Sequence, residues 1–383
     1  MHRKAAAEEE EEEEAVSGAN GDDDNVARRR PGLSDAASYL PGATTSSAGM
    51  PRATWLARYA RTRTGEVAMA ETAALVLDVG GTKLACGVLD AGGRVLAAGR
   101  LETPTSDVAS AEGLWRTVLS LLDRFDEARE DRELVGVGVG CGGPMRWPAG
   151  EVSPLNIPAW RDFPLRRRLQ ERYPDVPVRL HNDAVCVAVG EHWRGAGRGA
   201  DNVLGMVIST GVGGGLVMGG RLIDGASGNA GHVGHVVVDP DGPPCACGGR
   251  GCLEAIASGP KLAAWAVAHG WRSADGATAI ELAADAARDH PVARAAMERA
   301  GRALGIAIAS ATHLLDLEVV AVGGGLSQAG PLIFEPLEDA LREHAKLDFA
   351  REVRVVPAAL GQEAGLTGAG ALVLAGGRYW NAD

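Results

Sequence analysis

Apolar and polar positions divide the chain into two unequal parts, one without periodicity and one with it. From Ala74 onward, short apolar runs alternate with longer stretches of helical spacing. Ala74–Asp90 reads as a strand, a glycine turn and a second strand. Between Asp107 and Glu130, Leu114, Val118, Leu121, Leu122 and Phe125 recur at helical spacing. Leu134–Val139 is a buried strand that ends in a glycine turn at Gly140–Gly143. Val176–Leu180 is another strand, followed by His181-Asn182-Asp183-Ala184 and a helix through Arg194. Val203–Asp224 repeats the opening theme of strand, glycine-rich turn and strand, a weak internal duplication. Helices are expected near 258–270, 277–288 and 291–314, then a strand at Glu318–Val322 that runs into Gly323–Gly325. Leu332–Ala345 is helical, Val353–Pro357 a strand, and Glu363–Gly376 a closing helix. Such alternation predicts an α/β fold with largely parallel sheets.

Residues 1–72 carry no apolar periodicity. Glu8–Glu14 is an unbroken acidic run, followed by Asp22–Asp24, Arg28–Arg30 and a Ser/Thr/Gly/Pro-rich stretch. This composition predicts a disordered tail. A targeting peptide is the alternative, since Arg and Ser recur from Arg28, but the acidic run and the lack of an apolar core count against it. A third reading places the true start at Met69.

Composition narrows the classes. A chain of 383 residues with 46% apolar content is long enough for two or three domains with sizeable cores. A net charge of −12 gives no electrostatic footprint for nucleic acid or an anionic membrane. No apolar run reaches the length of a membrane span. Cys86, Cys141 and Cys186 lie in apolar segments without a spacing pattern, so no disulfide framework is indicated and a reducing cytoplasm fits.

The remaining three cysteines sit together. His235 is followed, after nine intervening residues, by Cys245, then Cys247 and Cys252. One histidine and three cysteines suit a closed, structural tetrahedral Zn²⁺ site. Buried small residues or a redox pair are the bland alternatives. His235 reads as the ligand, which leaves His232 free. Three glycine turns follow apolar strands: Gly80-Gly81-Thr82, Ser209–Gly215 and Gly323–Gly325. Backbone N–H groups in such turns form anion nests, and three together point to a phosphate-rich ligand. Lys83, one of only four lysines, follows the first turn and either faces a phosphate or is solvated. Asp183 at a strand end is either a general base or the N-cap of the next helix.

In their order and spacing these motifs resemble the ROK family of sugar kinases and related repressors. The carriers are DVGGTK at 78–83, HNDA at 181–184, STGVGGG at 209–215, GHVGH with CxCGxxGCLE at 231–254, and GGG at 323–325. The resemblance covers about residues 72–380. It implies a two-lobed actin/hexokinase-like fold of ribonuclease-H-like lobes with a cleft between them. Residues 73–185 would form the N-terminal lobe, completed by a helix at 363–380, and 186–362 the C-terminal lobe with the zinc loop. It implies ATP with Mg²⁺ and a small-molecule sugar as ligands. Asp78, Gly80, Gly81, Thr82, Lys83, Thr210, Gly211, Gly213 and Gly324 match nucleotide-side positions, with Asp78 orienting Mg²⁺ or its waters. Asp183 matches the catalytic base for the sugar 6-hydroxyl. Asn156, Asn182, His235 and Glu254 match sugar-contacting positions, with His235 shared between zinc and sugar.

One departure concerns specificity. Family glucokinases usually carry Glu where this chain has His232. The histidine, with Glu254–Gly259 reading EAIASG, looks more like bacterial N-acetylmannosamine kinases. An N-acylhexosamine is therefore placed slightly ahead of glucose. A homo-oligomer, dimer or tetramer, is expected from the family, with no nucleic-acid or membrane partner. The family's sugar-sensing repressors carry an N-terminal helix-turn-helix, and residues 1–72 show no two-helix pattern with a basic face. A non-catalytic zinc module leaves the glycine turns and Asp183 unexplained.

Overall fold

The computed structural model describes residues 59–61, 67–69, 71–104, 110–273 and 276–382. Most of the expected tail lies outside these residues. Within that stretch Tyr59–Arg61 pairs antiparallel with Val67–Met69, and Thr72 already belongs to the first long strand.

Two five-stranded sheets share one strand order. The first contains β1 (Thr72–Val79), β2 (Lys83–Asp90), β3 (Val95–Glu102), β4 (Glu133–Cys141) and β5 (Val178–Asn182), ordered β3-β2-β1-β4-β5. The second contains β6 (Val203–Ile208), β7 (Val212–Met218), β8 (Arg221–Leu222), β9 (Val319–Gly323) and β10 (Arg354–Pro357), ordered β8-β7-β6-β9-β10. In each sheet the first three strands meander antiparallel and the last two add in parallel. The expected duplication is thus a repeated topology. β1 is central in its sheet, and Ala73–Leu77 is buried without alternation, as a strand covered on both faces must be.

Three apolar cores explain how these sheets are arranged. Helix α1 (Ala111–Ala128) lays Leu114, Trp115, Val118, Leu121, Leu122 and Phe125 against the first sheet, joined by α2 (Leu165–Arg172). Ser110 starts α1 by accepting the Gly113 amide. The second sheet packs on α4 (Leu253–Ala257), α5 (Gly259–Ala268), α6 (Ala279–Ala287), α7 (Pro291–Leu315) and α8 (Pro331–His344). The third core draws on both sheets: Val76 and Leu89 from the first, and Val203, Val217 and Val319 from the second. Between them lie Val185 and Val189 of α3 (Asp183–Arg194), and Leu366 and Leu372 of α9 (Ala364–Leu374).

α3 and α9 can lie this close because their contacts are small. A methyl on Gly368 would fall 1.6 Å from the Cys186 carbonyl, and one on Gly190 2.5 Å from the Ala364 carbonyl. The buried Glu191 adds a polar clamp, accepting the amides of Ala196, Ala359 and Leu360. It thereby ties α3 to the segment leading into α9. Two copies of one sheet topology sharing a helical core form the two-lobed actin/hexokinase-like architecture expected from the sequence. Among the described residues no helix is long and apolar enough to cross a membrane.

Candidate active site

The site is built at the carboxyl ends of β1, β4 and β5, where parallel strands leave a crevice. Register sets the residues side by side: Asp78 lies beside Gly140, Gly140 beside His181, and Cys141 beside Asn182. Small residues then let two carboxylates approach. A methyl on Gly140 would lie 3.4 Å from Asp78 Oδ1, one on Gly142 3.8 Å from Asp183 Oδ2, and one on Gly365 of α9 2.9 Å from Asp78 Oδ2.

The charge of Asp183 adds to the cost of ionising Asp78. Burial, followed by the charge of Asp183, pushes Asp78 up to about 7, and Arg100 opposes this. Burial also raises the Asp183 pKa, opposed by backbone N–H donors and, when its ring is protonated, by His232. Asn182 rather than Asp183 is the N-cap of α3, its side chain accepting the Ala184 amide at 3.0 Å. Asp183 is the first helical residue, and its Oδ1 also accepts that amide, at 2.8 Å.

The glycine turns divide into two groups. In the first, Gly80 N–H donates to the Lys83 carbonyl, Thr103 Oγ1 donates to the Gly80 carbonyl, and Thr103 N–H donates to Thr82. Asn156 packs on this turn, so a methyl on Gly81 would come within 2.2 Å of its Cβ. Thr82 and Lys83 are exposed at the turn. The second and third turns sit together at the ends of β6 and β9, where Val207 is paired with Gly323. Gly324, at φ +90°, passes against Ile208 too closely for any side chain.

Ser209–Gly215 is not one turn. Ser209–Gly211 connects the strands and leaves Thr210 exposed, whereas Gly213–Gly215 belong to β7. Gly213 serves the approach of α3, since a methyl there would lie 2.7 Å from Ala184 Cβ. Glu254 of α4 closes this side, its Oε2 accepting the Val212 amide at 2.9 Å.

The loop leading to the cysteines rests on β7 through Gly231 and Gly234. His232 Nδ1 lies 2.9 Å from the Asn229 carbonyl and must donate to it, so in the neutral ring Nε2 is an acceptor. The His232 and His235 rings stack at 6.3 Å between centroids. The donor atoms of His235, Cys245, Cys247 and Cys252 all lie within 4.8 Å of one another. Cys247 Sγ is 3.8 Å from Cys252 Sγ, and Cys245 Sγ 3.8 Å from His235 Nδ1. Zinc–sulfur bonds of about 2.3 Å in a tetrahedron place sulfurs about 3.8 Å apart, so this donor set can hold Zn²⁺ through His235 Nδ1. Cys86, Cys141 and Cys186 are buried elsewhere, and burial pushes the Cys86 thiol up to about 12.

Three participants escaped the sequence reading. Gly365 is far from Asp78 along the chain, and nothing local marks it. His181 is visible inside HNDA without a role, and its partner Asp224 lies far along the chain, in the segment just after β8. A separate groove of about 580 Å³ beside α8, lined by Leu341, Ala345 and Val353 among others, contains none of the candidate residues.

A model of the ROK family matches residues 74–375. A glucokinase from Thermotoga maritima is 33% identical over 311 residues, 78% of this chain and 96% of the relative. An N-acetylmannosamine kinase from Haemophilus influenzae is 30% identical over 309 residues, 81% of this chain and 95% of the relative. Among solved structures, a ROK family glucokinase from Streptomyces griseus in complex with glucose and AMPPNP has a TM-score of 0.67 at 32% identity. It covers 79% of this chain and 99% of that one.

Proposed function

The chain belongs to the ROK family, and on that premise we propose that it is an ATP-dependent kinase acting on the 6-hydroxyl of a hexose or N-acylhexosamine. One observation carries the reading. Asp183 is a half-buried carboxylate with a raised pKa at the start of α3, next to Asp78 and adjoining the strands that bear the glycine turns. Phosphoryl transfer needs mainly positioning and charge neutralisation. A sugar hydroxyl is a poor nucleophile, and a carboxylate of raised pKa takes its proton more readily than an ordinary one.

The other residues divide by location. The backbone N–H groups of Gly81 and Thr82, and those near Thr210 and Gly211, face the phosphates of ATP, with the Gly80 N–H closing the first turn and Lys83 beside it. Gly324 lies on the nucleoside side. Gly213 acts through packing. Asp78 is the residue to hold Mg²⁺ or its waters, and the ion supplies charge neutralisation when bound. Asn156, Asn182, His235 and Glu254 contact the sugar. Glu254 reaches the Val212 amide through one oxygen, which leaves the other for a hydroxyl. His235, Cys245, Cys247 and Cys252 hold a structural Zn²⁺ that fixes the loop and the His235 ring.

His232 orders the acceptors. With Nδ1–H committed to Asn229, its Nε2 offers one uncharged acceptor, which matches the N–H of a 2-acetamido group. N-acetylmannosamine is therefore the proposed sugar. Glucose is the second reading, supported by relatives named glucokinase at 33% identity.

Asp183→Asn tests the central assignment. It keeps the side-chain volume and the oxygen that accepts the Ala184 amide. Turnover is expected to fall by about 10²–10⁴-fold with folding and sugar affinity close to wild type. Near-wild-type turnover would remove Asp183 as the base. ³¹P NMR of the wild-type product should report a sugar 6-phosphate.

A further inference from the structure

We propose that His181, Asp224 and Asn381 form a clasp that positions Asn182 and Asp183 against the loop carrying His232. His181 and Asp224 are positioning residues for phosphoryl transfer. The inference rests on the reading of Asp183 as the base.

The hydrogen bonds fix the direction of every contact. His181 is fully buried at the end of β5, and its Nδ1 accepts the Asn182 amide at 2.8 Å. Nε2 therefore carries the ring proton and donates it to Asp224 Oδ1, 3.1 Å away. Asp224 Oδ2 accepts from Asn381 Nδ2 at 2.7 Å, and the same nitrogen lies 3.1 Å from the Leu222 carbonyl. Both oxygens of a carboxylate that is 8% exposed thus act as acceptors.

Asp224 also shapes the loop. Its backbone carbonyl accepts the Ala230 amide at 3.0 Å, closing the 224–230 segment just before His232. Gly228 in that segment lies against Trp147, whose ring stands 6.4 Å from His181 and 6.0 Å from Trp380. One side chain therefore links the strand end bearing Asp183, the loop bearing His232, and the segment bearing Asn381.

A buried carboxylate is costly, and packing alone would be served as well by an apolar residue of similar volume. What a directional pair adds is orientation. Without Asp224 the His181 ring loses its side-chain hydrogen-bond partner and can turn, which releases the Asn182 amide. Asn182 caps α3, so the displacement passes directly to the first residue of that helix, Asp183. Misplacement of a reacting group by about 1 Å can cost about 10²-fold.

The test compares Asp224→Ala, Asp224→Asn and Asn381→Ala in the full chain with wild type and Asp183→Asn. It reads kcat, KM for sugar and KM for Mg-ATP. Asp224→Ala should lower kcat by about 10–100-fold and leave KM for Mg-ATP within about twofold, because the clasp hydrogen bonds go to Asn182, Leu222, Asp224 and Asn381 and to none of the three nucleotide-side glycine turns. Asp224→Asn should recover to within about threefold, since its amide oxygen still accepts from His181. Asn381→Ala should lose about threefold. The proposal is overturned if Asp224→Ala keeps wild-type kcat while Asp183→Asn is inactive, or if the alanine and asparagine variants lose equally. An active Asp183→Asn would instead remove the base, and this inference with it. Should Asp224→Ala not fold, Asn381→Ala decides: a loss of kcat at unchanged KM for Mg-ATP supports the clasp, and unchanged kcat overturns it.

Discussion

Asp78 and Asp183 occupy neighbouring half-buried positions, and the charge of Asp183 makes Asp78 harder to ionise. The consequence for stability has a definite sign. A carboxylate whose folded pKa is about 7 keeps its proton in the folded state while the unfolded chain, with its carboxylate near 4, has already released it. Stability from this group is therefore greatest below about pH 4, falls as pH rises to about 7, and stays low above that. Asp78→Asn removes the titration, so thermal unfolding of the ligand-free variant should lose this slope and give a higher Tm at pH 8. A variant with the wild-type slope would show that another group sets it. Asp183 and the glycines were readable because each sits in a short local motif. The raised pKa was not, because it depends on Gly140 and Gly365 bringing backbone close to Asp78.

The cysteine loop was legible as an element because its spacing is local: His235, Cys245, Cys247 and Cys252 come together without help from distant chain. Cys247 is exposed, which gives a chelator access. Stripping the metal should lower Tm and weaken sugar binding, and added Zn²⁺ should restore both. Cys247→Ser should reproduce the loss, because His235 would no longer be held on one side. Protein purified without chelator that contains no zinc by elemental analysis would contradict this account.

Helix contacts were less legible. A run of glycines reads alike whether it makes a turn or admits a neighbour, and Ser209–Gly215 does both in succession. The same holds for α9, whose glycines allow its approach to α3. Gly368→Ala should destabilise the fold by about 1–3 kcal/mol or more, since its methyl would meet the Cys186 carbonyl. Denaturant unfolding measures this, and an unchanged midpoint would show that the helices separate freely.

At the scale of the whole molecule, the repeated strand order was visible in the sequence only as two similar strand–glycine–strand openings. The later strands of each sheet join it in parallel from far along the chain, and no local pattern announces their neighbours. The repeated topology has a functional result. The carboxyl ends of one sheet supply Asp78 and Asp183, the other supplies the paired second and third glycine turns, and α3 and α9 lie in the core they share. His232 and Glu254 enter from the loop and helix beyond β7. Such an arrangement suits a reaction that needs nucleotide and sugar held together with water excluded.

The most direct measurement is ADP release from Mg-ATP in the presence of N-acetylmannosamine, glucose, N-acetylglucosamine, mannose or fructose. Sugar-dependent release, fastest with N-acetylmannosamine, is the predicted result. Faster release with glucose would overturn the argument from His232 and leave the kinase intact. No sugar-dependent release, in protein that holds zinc and binds sugar, would contradict the account at its centre.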